Sequence, residues 1–173
     1  MHLARVDPDA PIDLRGMTEL KSLTLAGMAD SQRITVEGMP PGMQRIRLQD
    51  AELETLVLRG GYAPIECRQV RRFDRLVAFV GPRKNDWLNI FVGGNSPARE
   101  GYVAAPVVLE LHDMQDIRLC SLGSGQGLKR VEVYGEGPKF ATFRDIPLGV
   151  VQITWEGREP GPWQGSAPRS LLD

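Results

Sequence analysis

"MPPGMQRIRLQDAELETLVLRGG", residues 39–61, spaces its aliphatic side chains in a way that fits neither a helix nor a plain alternating strand. Met39, Met43, Ile46, Leu48, Leu53, Leu56 and Leu58 recur at intervals of two, three, four and five. Within it, two apolar residues two positions apart are twice followed by a turn residue: Ile46 and Leu48 before Asp50, Leu56 and Leu58 before Gly60. Residues two apart share one face of a strand, and Gly or Asp tolerates the dihedral angles of a sharp corner. The stretch therefore reads as two short strands and two corners.

The same unit recurs outside it. Leu23 and Leu25 precede Gly27, Ile34 and Val36 precede Gly38, Leu109 and Leu111 precede Asp113, Val131 and Val133 precede Gly135, and Ile153 and Trp155 precede Gly157. Comparable positions return after roughly 22 residues, in a series through Leu23, Ile46, Ile65 or Cys67, Leu88, Leu109, Val131 and Val151. A second series runs through Ile12, Ile34, Leu56 and Ala78, then blurs around Tyr102, Leu122 and Phe143. A step of that length leaves room for a parallel crossover. The spacing predicts a mainly β, single-domain solenoid of about seven coils with two short strands each. An antiparallel β-sandwich is the alternative, but the chain contains neither Asn-Gly nor Asp-Gly to sign its tight hairpins.

Residues 39–56 resemble a leucine-rich repeat of the short bacterial kind, with Met39-Pro40, Met43, Ile46, Leu48, Leu53 and Leu56 in the aliphatic positions. "LKSLTLAGM" (20–28) and "LKRVEVYGEG" (128–137) match the front half of that pattern, so the resemblance is strongest over 20–58 and 128–137. The asparagine usual after the strand is replaced by Met28, Ala51 and Glu136, and the backbone groups at those corners need other partners. The resemblance implies a degenerate β-solenoid whose type serves as adaptor, effector or toxin-neutralising protein.

Glycine (19) and proline (13) are abundant, which favours turns over long helices. The net charge of −1 gives no drive towards nucleic acid or anionic membranes. No segment has the length and apolarity of a signal peptide or membrane span, so the reading is a cytoplasmic protein. Two cysteines, Cys67 and Cys120, make neither a disulfide framework nor a zinc motif. The domain is placed at 1–157, with 60–75 and 93–106 as insertion or loop segments and 158–173 as an irregular tail or cap.

Reactive groups are sparse. "ELHDMQDIRLC" (110–120) could make His112 a base beside Cys120, the basis of a hydrolase reading, but its position suggests an exposed strand running into a polar turn. "GSGQGLKR" (123–130) lacks the Lys-Ser/Thr ending of a phosphate loop. No metal or cofactor is expected. Alternation instead sends Arg45, Arg47, Trp87, Asn89, Phe91, Glu110, His112, Glu132, Tyr134 and Gln152 outward, as one strip of aromatics and mixed charge. Such side chains dominate protein interfaces, so the expected function is non-catalytic binding of another protein. Arg68, Arg71, Arg72 and Arg75 form a possible secondary basic patch, on a short helix of the insertion. A sandwich that binds a glycan or small molecule on its tryptophans is the alternative function.

Overall fold

A computed structural model of the chain describes residues 1–4, 6–7, 10–28, 32–79, 88–93, 102–103, 105–113, 116–122, 128–135, 140–144 and 152–157. Among the described residues fourteen strands follow one another: β1 (His2–Ala4), β2 (Ile12–Asp13), β3 (Ser22–Ala26), β4 (Gln32–Glu37), β5 (Arg45–Gln49), β6 (Glu52–Arg59) and β7 (Ile65–Arg68), then β8 (Arg72–Phe79), β9 (Leu88–Gly93), β10 (Val108–His112), β11 (Asp116–Leu122), β12 (Arg130–Gly135), β13 (Phe140–Arg144) and β14 (Gln152–Gly157). Odd-numbered strands form one seven-stranded sheet and even-numbered strands the other, each in chain order. Every pairing of strands in the two sheets is parallel, so the fold is a β-solenoid with two strands per coil and not an antiparallel sandwich. Among the described residues there is no helix, and hence none long and apolar enough to cross a membrane.

Both sheets bury their inner rows in one core. Leu23, Leu25, Ile46, Leu48, Ile65 and Cys67 come from the odd sheet; Ile34, Val36, Leu56, Leu58, Leu76, Leu109, Leu111, Val131 and Val133 come from the even sheet. The aliphatic residues of the 39–56 stretch are all buried, including Met39 and Met43, which sit in the turn before β5. Apolar burial on two facing rows is the main favourable term for such a fold.

Six of the seven predicted corners have the expected backbone, and Gly157 is the last residue of β14. Gly27, Gly38, Asp50, Gly60, Asp113 and Gly135 all have positive φ, as does Gln69. Gly38 needs glycine twice over: its φ is 66°, and a Cβ there would lie 2.3 Å from Arg15 Cγ. At Met28 and Ala51, two of the positions without the asparagine, and at the equivalent Val70, backbone groups find backbone partners; Glu136 lies outside the described residues. The carbonyls of Met28, Ala51 and Val70 accept from the amides of Glu52 (2.8 Å), Arg71 (2.9 Å) and Val103 (2.7 Å), and all three residues are buried.

Two expectations change. Residues 60–75 are not an insertion, and no helix carries the four arginines: the segment holds β7, a corner at Gln69 and the start of β8. Its arginines occupy outward positions and obscure the inward sequence Ile65, Cys67, Val70 and Phe73. The repeat also changes phase where the strip was to lie. On the even sheet Leu56 pairs with Leu76 and Leu109 with Val131, but Leu76 pairs with Leu109, a step of 33 residues (76 to 109). The series drawn through Leu88 and Leu109 therefore crosses from the odd sheet to the even one.

Candidate functional site: the outer face of the even sheet

Because the two sheets share a core, their outer faces point apart, and the ten-residue strip is divided between them. Arg45, Arg47, Asn89 and Phe91 lie on odd strands; Glu110, His112, Glu132, Tyr134 and Gln152 lie on even strands. Asn89 and Phe91 are placed by backbone register, opposite Arg118 and Cys120. Trp87, residues 94–101 of the loop and the segment 158–173 fall outside the described residues.

The even strands bring their outward residues into three lateral rows. Parallel register aligns Glu37, Arg59, Phe79, His112 and Tyr134 in one of them. The Arg59 guanidinium sits over the Phe79 ring at 4.4 Å, and Glu37 pairs with Arg59 at 3.9 Å. Phe79 stacks on His112 with ring centroids 4.3 Å apart and planes within 17°, and His112 stacks on Tyr134 at 4.9 Å and 11°. In-register strands are spaced to allow this, and offset stacking adds to the burial of each ring.

The next row aligns Thr35, Val57, Val77, Glu110, Glu132 and Thr154. Val57 (1% exposed) and Val77 (7%) point away from the interior and are not part of the main core cluster, yet are buried. The two glutamates face each other across β10 and β12, which would be unfavourable without cations. Arg75 donates to both, at 2.8 Å to Glu132 Oε2 and in a shorter contact to Glu110 Oε2; Arg130 donates to Glu132 Oε1 at 3.0 Å. His112 Nε2 lies 2.6 Å from Glu110 Oε1, and Tyr134 Oη is 3.5 Å from Glu132 Oε2. Glu132 is thus buried (7% exposed) but fully engaged, as buried carboxylates must be.

This arrangement unites Glu110, His112, Glu132 and Tyr134 with Arg75 from the secondary basic patch, and adds Arg59, Phe79 and Arg130, which the sequence reading missed. Gln152 is exposed at the end of the third row, Arg33–Thr55–Arg75–Val108–Arg130–Gln152. The signal for Phe79 was its place one residue after inward Ala78. The remaining arginines of the basic patch do not form one surface: Arg68 lies on β7, Arg71 at the corner, where it pairs with Glu52 at 3.6 Å, and Arg72 beside Asp74 on β8.

The chemistry proposed for His112 and Cys120 loses its geometry, because β10 and β11 belong to opposite sheets. Cys67 is buried, and burial pushes its thiol up to about 12, which leaves it protonated and unreactive. Among the described residues no cluster of His, Cys, Asp and Glu could hold a metal ion. A cleft of about 210 Å³ at the corner is lined by Met28, Asp50, Ala51, Glu52, Gln69, Arg71 and Tyr102, and among these residues the one cation, Arg71, pairs with Glu52 at 3.6 Å. Compared with models of protein families, with curated proteins and with solved structures, the chain matches none of them.

Proposed function

We propose that this chain is a non-catalytic protein-binding module, a leucine-rich-repeat-like adaptor, effector or toxin-neutralising partner working in the cytoplasm. Its contact surface is the outer face of the even sheet from β8 to β12. The observation that carries this reading is the row Arg59–Phe79–His112–Tyr134. Aromatic and arginine side chains are the usual anchors of protein interfaces, and these are already ordered by stacking and by the Glu110–Arg75–Glu132 network. A partner would spend little conformational entropy on fixing them.

The glycan reading has less support on this face. A sugar stacks on a free ring face, and here the faces of Phe79 and His112 are turned towards each other and towards Arg59 and Tyr134.

The test compares wild type with His112→Ala/Tyr134→Ala. Proteins retained by wild type and lost by the variant are identified, purified and titrated directly. The expected result is a loss in affinity of about tenfold or more, the scale of removing two interface anchors, with thermal unfolding little changed. Equal affinity of the two folded proteins for the purified partner would refute this surface.

A further inference from the structure

The two sheets divide the charge of the chain unequally. The odd strands carry five arginines (Arg45, Arg47, Arg68, Arg118 and Arg144) against two carboxylates, Glu66 and Asp116. The even strands carry five arginines against eight carboxylates. A chain with a net charge of −1 is thus split into a basic sheet and an acidic sheet. Facing sheets lie about 10 Å apart, a little more than the screening length of about 8 Å at physiological salt, so a ligand at one outer face responds mainly to that face.

Pairing within each face reinforces the difference. On the even face Glu37, Glu110, Glu132 and Asp74 each have an arginine of the same sheet. Over β5 and β7 on the odd face, Glu66 serves two arginines, Arg47 at 3.1 Å and Arg45 at 3.8 Å, and Arg68 makes no ion pair among the described residues. Strand β3 beside them offers only Ser22, Thr24 and Ala26 outward, so nothing bulky flanks the guanidinium groups on that side. Arg45 and Arg68 are exposed.

We infer that the outer face of the odd sheet around Arg45, Arg47 and Arg68 is a second docking surface, which takes an extended acidic segment of a partner protein. Arg45 and Arg47 are two residues apart on one strand, about 6.6 Å, close to the spacing of alternate side chains of an extended ligand. Carboxylates at alternate positions therefore meet successive guanidinium groups, through the donors left after Arg47 Nε and Nη2 give to Glu66 Oε2 and Arg45 Nε gives to Ser22 Oγ. Nucleic acid fits less well: β1, β3, β5 and β7 carry no Phe, Tyr or Trp on which bases could stack. This surface is separate from the even-face site and does not depend on it.

Fluorescence anisotropy of the full chain with labelled probes of about twelve residues tests the inference: an alternating Glu-Thr peptide, a Lys-Thr peptide and an oligothymidylate. The Glu-Thr peptide should bind saturably and weaken with salt, and Arg45→Gln/Arg47→Gln/Arg68→Gln should lose about tenfold in affinity. Glu66→Gln should gain about threefold, since it frees two arginines; a misfolded protein would not gain. His112→Ala/Tyr134→Ala should bind the peptide as wild type does. Absence of Glu-Thr binding, retention by the triple variant, no gain in Glu66→Gln, or tighter binding of the oligothymidylate would each overturn it.

Discussion

The even and odd sheets are built from the same coil and fill the same core, yet they present opposite outer faces. The even face is crowded and self-satisfied: three stacked rings, an arginine against one of them, and a glutamate pair bridged by Arg75. Over β3, β5 and β7 the odd face is open, with small residues on β3 and arginines outnumbering their one carboxylate. Inward positions in a solenoid are held to a narrow volume by close packing, whereas outward positions are constrained only by lateral neighbours. Two surfaces can therefore diverge on one scaffold without altering the fold.

If the interior is common to both sheets, a cavity on either side should cost the same. Leu23→Ala in β3 and Leu56→Ala in β6 should each destabilise by about 2–5 kcal/mol in chemical denaturation, because both leucines are fully buried in one cluster. A loss below about 1 kcal/mol for either would break the symmetry of the core.

The outer faces should then separate. Arg75→Ala leaves Glu132 buried with one cation fewer and Glu110 facing it, and should cost about 1–3 kcal/mol. Arg47→Ala, which removes a half-buried pair from the open face, should cost under about 1 kcal/mol. Equal losses would mean that the even network is no more than a surface ion pair.

The corners offer a finer comparison. Gly27→Ala ends an odd strand with open space around its Cβ and should cost about 1–2 kcal/mol for the left-handed backbone alone. Gly38→Ala, which ends an even strand, adds a collision with Arg15 and should cost more in thermal unfolding. Equal shifts would show that the Arg15 side chain moves aside freely.

Much of this was legible in the residues because it is local. The paired aliphatics followed by Gly or Asp gave the strands and corners, since a two-residue period and a positive φ are decided within a few positions. Gln69 escaped because nothing about glutamine announces a left-handed backbone. The arginines of 60–75 hid an ordinary coil, because an outward row rich in one residue type draws attention from the inward one.

Lateral register was not legible in the same way. Which residues stand side by side depends on the number of residues in every connection, and one long step from Leu76 to Leu109 moved the later strands out of the phase read from the earlier ones. The sequence by itself determined the strand grammar, the buried rows and the outward direction of Glu110, His112, Glu132 and Tyr134. Only the tertiary structure decided that Phe79 and Arg59 join them while Arg45 and Arg47 sit on the opposite face. Alternation along a strand is fixed by bond geometry, but adjacency across strands is fixed by hydrogen-bonded pairing of segments far apart in the chain.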